Sequence, residues 1–408
     1  MIKKLLPILG VTFIDIIGFS ILIPILPYFV THFGASPFVV GLLLSTFSLC
    51  QLVAAPVWGN VSDRIGRKAV LIISQIGATI GWAGLAFAPS IGWVFCWRIV
   101  EGVSGGNISI TQAYVADLVE PKDRARAFGL IGAMFGSGMV FGPLLGGVLF
   151  SRYGFAAPFL AAAALQLITL VVTIVMLPES RKKGDEDEEH VGFSEIFRCF
   201  QKPELAPILW QKLAVSLGLY GWFGVIALYL QHQLGFTLTQ TYFFFSSFAA
   251  FNVFCNAYLV GKISASLGDR RMSNVGLVSL VAAFATVPFV HSVAMLAGTM
   301  LLFSFGMALT NTGITALISN AASDREQGTV LGTSSSLDSL SGILAPPVST
   351  GLLATYGSPF ASVESFCFMA VALVMGLVRT RGEHRPSGGD AAPIGLAEID
   401  TVAEAADA

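Results

Sequence analysis

The sequence predicts an all-α integral membrane protein, with twelve transmembrane helices in two pseudo-symmetric six-helix halves. Three observations carry that expectation: an apolar composition, twelve long apolar runs, and cations confined to one side. Of 408 residues, 54% are hydrophobic and only 12% are charged, with a mean hydropathy of +0.76. A soluble chain is about a quarter charged, and its surface needs those charges. The solvent of this chain is therefore lipid. About 20 apolar residues in a helix cross a bilayer core of about 30 Å.

The runs fall at 5–31, 38–58, 69–89, 92–117, 126–150, 156–177, 205–230, 239–261, 272–291, 294–321, 328–354 and 359–378. Short turn-like separators such as Gly34-Ala35-Ser36-Pro37 and Gly357-Ser358-Pro359 divide them. The opening run carries Asp15 and lacks a small-residue cleavage site, so it reads as a retained span rather than a signal peptide. The alternation that a membrane barrel requires is missing. With the N-terminus cytoplasmic, 21 of the 23 Lys and Arg residues fall on the cytoplasmic side, Lys212 among them. Arg152 alone falls opposite, and Arg98 lies inside a span. Cytoplasmic loops carry such an excess of cations, and one missed span would scramble it.

The expected organisation is a first half over 1–177, a cytoplasmic linker over 178–204, a second half over 205–378 and a disordered cytoplasmic tail over 379–408. The linker contains the solvated charge run Asp185-Glu186-Asp187-Glu188-Glu189 and a short amphipathic stretch, Phe193 to Phe200. The halves read as a diverged repeat. Gly59…Gly66-Arg67-Lys68 returns as Gly261…Gly268-Asp269-Arg270 after 202 residues. Gly142-Pro143 returns as Ala345-Pro346 after 203. Repeated six-helix halves are a transporter plan, with the substrate site between them.

Other classes find little support. A net charge of −2 offers no basic footprint for nucleic acid. The five cysteines have neither metal nor disulfide spacing. The sequence contains no Gly-x-x-x-x-Gly-Lys-Ser/Thr loop, so ATP hydrolysis is not the expected energy source.

The chemistry is expected in the few charges within spans. Asp15 lies about 15 Å into the first span at 1.5 Å per residue. An intramembrane carboxylate normally faces the bundle interior, as proton carrier, substrate counter-ion or structural hydrogen-bond acceptor. An intramembrane guanidinium such as Arg98 needs a partner. Glu101 lies three residues on, nearly on the same face, and Asp15 is the alternative. Asp338 lies mid-depth in the eleventh span as a second proton or substrate group. Glu364 reads first as reaching the outer interface, and Asp117 as a partner of the Arg124–Arg126 loop. Gly132 and Gly136, and Gly138, Gly142 and Gly146, recur at four-residue spacing and predict a smooth face for close helix approach. Pro143 adds a bend. Gln51, Gln75, Asn107, Tyr220, Tyr242, Asn252 and Asn256 are among the polar residues available to a cavity.

These residues resemble the major facilitator superfamily over about 5–378. Gly59, Asp63, Arg64, Gly66, Arg67 and Lys68 match the family's loop signature Gly-x-x-x-Asp-Arg-x-Gly-Arg-Lys between helices 2 and 3. Arg98-Ile99-Val100-Glu101-Gly102 is similar to its Arg-x-x-x-Gly motif, with Glu where Gln is usual. Gly138, Gly142, Pro143, Gly146 and Gly147 are similar to the antiporter motif of its drug/proton branch, and the first helix to the bacterial tetracycline/proton antiporters. The resemblance implies the major facilitator fold and a role for Arg98 in proton coupling. It also implies a cytoplasmic gate in which Asp63, beside Arg64 and Arg67, helps hold the halves closed; Ala265 stands at the equivalent place in the second half.

The function expected is secondary transport, not catalysis: a proton-coupled antiporter in the bacterial inner membrane, with both termini cytoplasmic. It would export small amphipathic or drug-like molecules. The alternatives are a symporter or facilitator for a sugar, organic acid or other metabolite, and a non-transporting receptor or assembly protein. The expected partners are lipid, protons and the small substrate, in a monomer without metal or cofactor, driven by the proton gradient.

Overall fold

The computed structural model describes residues 2–105, 107–119, 124–180, 198–322 and 327–382. Every long element in it is a helix. The first half comprises α1 (Ile2–His32), α2 (Pro37–Ile65), α3 (Arg67–Ala86), α4 (Ile91–Ser104), α5 (Asn107–Leu118), α6 (Arg124–Tyr153) and α7 (Ala156–Met176). The second comprises α8 (Ala206–Leu234), α9 (Leu238–Phe254), a π-turn at Cys255–Val260, α10 (Gly261–Thr286), α11 (Val293–Asn320), α12 (Gln327–Tyr356) and α13 (Val363–Gly382).

Among the described residues, nine stretches are long and apolar enough to cross a membrane. The difference from twelve has local causes. The expected span at 92–117 is interrupted after Ser104, leaving helices of 14 and 12 residues. The spans at 239–261 and 272–291 join into one stretch, Leu238–Phe289, bent at Gly268 where φ is 73°. Helix α12 is present over 30 residues, but Thr333, Ser334, Ser335, Ser336, Asp338, Ser339 and Ser341 lower its hydropathy. Helix α13 continues to Gly382, past the expected end at 378. Of the amphipathic stretch at 193–200, only its end falls in the described residues, where 198–201 is helical.

The turns record the repeat. Six glycines have positive φ: Gly34, Gly66, Gly154, Gly235, Gly268 and Gly357. They form three pairs separated by 201, 202 and 203 residues. Left-handed backbone suits glycine because other residues carry a Cβ that clashes there. The chain therefore reverses at equivalent places in both halves. At Gly235 (φ 65°) the cap is completed by Phe236 N–H donating to Leu230 O, and the capping box of Thr237 and Gln240 then starts α9.

Within the first half α1 packs against α6 and α7, and α3 against α7. Within the second α8 packs against α12 and α13, and α10 against α11. The halves meet along α2–α12 and α6–α9. We call the end carrying the α2–α3 turn, with Arg64, Arg67 and Lys68, the basic end, and the opposite one the far end.

Candidate functional site

Three clusters take up the charged residues expected to matter. The first lies on α1, α2 and α4. Asp15 is half-buried on α1, and Phe19, one turn on, shares its face. Phe19 packs against Phe47 of α2 with ring centroids 6.4 Å apart. The Arg98 guanidinium stacks 4.2 Å from the centroid of that same Phe47, a favourable meeting of cation and ring face. Arg98 is 1% exposed and its Nη1 donates to Glu101 Oε2 at 2.6 Å. Of the two partners open to Arg98, the structure supplies Glu101. The pair is boxed in by glycines: Gly102 lies against Phe47 and Cys50 of α2, and Gly81 of α3 against the Glu101 backbone and Cβ. The sequence spacing brings Arg98 to Glu101, and Phe47 links them towards α1.

The second cluster joins α8 and α12. Asp338 Oδ1 accepts from Lys212 Nζ at 2.8 Å and from Ser216 Oγ at 2.6 Å. Lys212, counted above with the loop cations, lies inside α8, its side chain 12% exposed. It is the residue that sequence reasoning missed here. Its signal was present: a lysine six residues into an apolar run, with a carboxylate in another span. Gly342, one turn beyond Asp338, lets Ser48 of α2 and Tyr220 of α8 approach.

The third cluster is the α2–α3 turn. Arg67 is 8% exposed. It pairs with Asp63 at 2.8 Å, donates to Ser62 Oγ at 2.5 Å and reaches Asp117 of α5 at 3.4 Å. Asp117 also accepts from Ser180 Oγ at 3.1 Å, so it takes Arg67 and Ser180; the side chains of Arg124 and Arg126 lie outside the described residues. Glu179, which sequence reasoning passed over, caps α3 by accepting from the backbone N–H groups of Arg67 (2.9 Å) and Lys68 (3.2 Å). A negative group at a helix N-terminus is stabilising. Lys68 Nζ donates to Ile174 O at 2.8 Å. Gly66, at φ 104°, turns its bare Cα to the Glu179 carboxylate. Arg64 is exposed. The turn is thus fastened to α5 and to the chain leaving α7.

The glycines of α6 admit two neighbouring helices rather than one. Gly138 and Gly142 accept α1, through Ile16 and through Ser20 with Ile17 O, and Ser20 Oγ donates to Gly138 O at 3.0 Å. Gly146 and Gly147 instead make a slot for Tyr242 of α9, in the other half. Gly132 touches nothing within 4 Å of where a Cβ would stand. In the second half, Pro346 packs on Gly224 of α8, and its carbonyl on Gly41 of α2.

Hydrogen bonds between the halves, among the described residues, lie in the middle and far end. Tyr28 O–H donates to Phe236 O at 2.8 Å and lies 2.8 Å from Thr241 Oγ1. Tyr242 O–H donates to Ile21 O at 3.0 Å, Ser246 Oγ to Val140 O at 2.5 Å, and Ser45 Oγ to Ile343 O at 2.5 Å. Other polar residues expected at a cavity hold helices instead. Gln51 donates to Gly105 O, Asn252 to Ser304 O and Asn256 to Asn252; the Asn107 side chain lies outside the described residues. A groove between α1 and α6, lined by Phe13, Ile17, Phe141, Leu144, Leu145 and Val148, presents only apolar side chains.

A helical membrane protein whose repeated halves meet along two helix pairs, with buried charge clusters in each half, is built as a secondary transporter rather than an enzyme. The sequence matches the Major Facilitator Superfamily over residues 8–346 and 257–399, and the chain belongs to that family. It is 28% identical to the class C tetracycline resistance protein of Escherichia coli, over 91% of this chain and 95% of that one. It is 30% identical to the class G tetracycline resistance protein of Vibrio anguillarum, over 88% and 92%. Its fold is that of a bacterial homolog of the human lysosomal transporter Spinster, solved in an inward-facing, occupied conformation. The two superpose with a TM-score of 0.77 at 16% identity, over 92% of this chain and 96% of that one.

Proposed function

We propose that this transporter is a proton-coupled antiporter that exports small amphipathic or drug-like molecules by alternating access. The observation that carries the reading is the series Asp15–Phe19–Phe47–Arg98–Glu101, which connects a half-buried carboxylate of α1 through two rings to a buried ion pair of α4. A carboxylate in a span is costly unless it works, and this one shares a helix face with a ring that touches the neighbouring cation. Protonation of Asp15 removes the charge at the α1 end of this series, and a substrate occupying the same space competes with it. Lys212–Asp338 gives the second half a charged pair of its own. The similarity to tetracycline resistance proteins supports a drug-like substrate.

The basic end is cytoplasmic in this reading, as are both termini, in a bacterial inner membrane. Residues 1–177 and 205–378 are the rocking bodies, and 178–204 is the linker between them. The cross-half hydrogen bonds at Tyr28 and Tyr242 belong to the state closed outside and open to the cytoplasm. The Asp63–Arg67 cluster then waits for the reverse state, in which the halves close on the cytoplasmic side.

Two variants separate the roles. Asp15→Asn is expected to keep substrate exchange without a gradient and to lose uphill export driven by an imposed pH gradient in proteoliposomes. Exchange and uphill export both intact in Asp15→Asn sink the assignment. Asp63→Asn removes one partner of Arg67, which keeps Ser62 and Asp117, and loosens the α2–α3 turn. It is expected to slow export several-fold while the pH dependence of substrate binding stays that of the unaltered protein; normal export, or an altered pH dependence of binding, contradicts the gate role.

A further inference from the structure

The far end of the second half contains a carboxylate that none of the three clusters uses. Glu364 is the second residue of α13. The chain between α12 and α13 turns inward there: Ala361 is 0% and Ser362 1% exposed, and Ser362 Oγ donates to Phe284 O of α10. This carries Glu364 inward, while Tyr356 and Phe360 just before it in the chain stay exposed. Its own exposure is 7%, so the expectation that it reaches the interface is corrected.

The surroundings form a built niche without a cation. Ser349 Oγ of α12, itself 0% exposed, donates to Glu364 Oε2. Gly221 of α8 clears the space, since a Cβ there would stand 3.1 Å from that same oxygen. From α10, Phe284 contributes a backbone carbonyl to Ser362. Two titratable groups on the packed helices turn elsewhere. Tyr220, beside Gly221 in the sequence, lies against Gly342, and Asp338, about three turns down α12, holds Lys212. Among the described residues, no Lys, Arg or His pairs with Glu364. A bare carboxylate buried in low dielectric is far costlier than a neutral carboxylic acid with a hydrogen bond.

Position ties this niche to the seam between the halves. Thr350, adjacent to Ser349, lies against Gly41 of α2, and Thr350 Oγ1 donates to Pro346 O at 2.7 Å. Opening the far end must draw α2 from α12 at this level, and so disturb the residue next to the one that holds Glu364.

We infer that Glu364 is a proton-binding site, loaded from the far side, which must hold its proton for the far end to seal. When the far end opens, water reaches the carboxyl group and its proton exchanges with the outer medium. When it seals, the acid is trapped against Ser349. The consequence for transport rests on the proton-coupled reading: a far side that seals only when Glu364 is loaded lets external acid favour the return step, and the same proton goes back to the outer medium when the far end next opens.

The test is infrared difference spectroscopy between acidic and alkaline medium on the full-length protein in detergent. The expected result is a carbonyl band of a protonated carboxylic acid that disappears in Glu364→Gln, shifts in Ser349→Ala and persists in Asp15→Asn. An unchanged band in Glu364→Gln overturns the assignment. If Glu364→Gln does not fold, Ser349→Ala decides: a shifted band supports the site and an unshifted one overturns it. Failure of the antiporter reading shows itself separately, as absence of gradient-driven export in the unaltered protein.

Discussion

Replacing Arg98 with alanine is expected to abolish export and to lower stability by about 3–5 kcal/mol, the usual consequence of stripping one partner from a buried ion pair. Arg98 and Glu101 are 1% and 5% exposed, so Glu101 would be left as an uncompensated charge against Gly81 and α2. The face of Phe47 would also lose its cation. A double variant, Arg98→Leu with Glu101→Leu, separates structure from function. Removing both charges together restores most of the stability, because well-packed apolar residues replace a buried pair at little cost. Export remains absent, because nothing then answers the charge state of Asp15. Thermal denaturation in detergent and export in proteoliposomes measure the two effects. Export by the double variant would reduce the pair to a structural brace.

Gly142→Leu is expected to be the most damaging substitution on α6. A side chain there runs into Ser20 and into Ile17 O, which a Cβ would approach to 2.6 Å. A backbone carbonyl cannot swing aside as a side-chain end can. The helices must separate, breaking the hydrogen bond from Ser20 Oγ to Gly138 O. Overpacking of this kind costs about 1–3 kcal/mol. Its functional effect is larger, since the same helix carries the Tyr242 slot four residues on, and a displaced α6 misplaces the seam between the halves. Gly132→Ala is the control: no neighbour lies within 4 Å of its Cβ position, so stability and export are expected to stay near those of the unaltered protein. Equal damage from both would show that the helix, not its contacts, is sensitive to side chains.

The fold was legible because lipid simplifies the problem. Spans must be long, apolar and helical, cations sort to one side, and a repeat of some 200 residues leaves its turn glycines in register. Gly66 and Gly268 are readable as equivalent from sequence alone, and both have positive φ. The Arg98–Glu101 pair was legible for a local reason, since three residues on a helix fix the meeting. Contacts between distant segments were not. Nothing in the spacing of the α6 glycines says that Gly142 serves α1 while Gly146 serves Tyr242 of the other half. Lys212 read with the loop cations although it falls within the expected span at 205–230, because a lysine near the cytoplasmic end of a span can reach the interface, and its pairing with Asp338 depends on how α8 and α12 are rotated. Glu364 read as interfacial for the same reason: the inward turn at Ala361 and Ser362 is made by tertiary packing, which local sequence does not encode. Glu179 is the exception, since an acidic residue at a span end, opposite the N-terminus of another helix, follows a pattern that could have been sought.

The central claim is exchange of substrate for protons, and luminal pH tests it most directly. The protein is placed in liposomes with an acidic interior and an entrapped pH-sensitive dye, and substrate is added outside. The account predicts that substrate accumulates while the lumen becomes more alkaline, and that Asp15→Asn abolishes both changes. Accumulation with no change in luminal pH, or protons moving in the same direction as substrate, would contradict it.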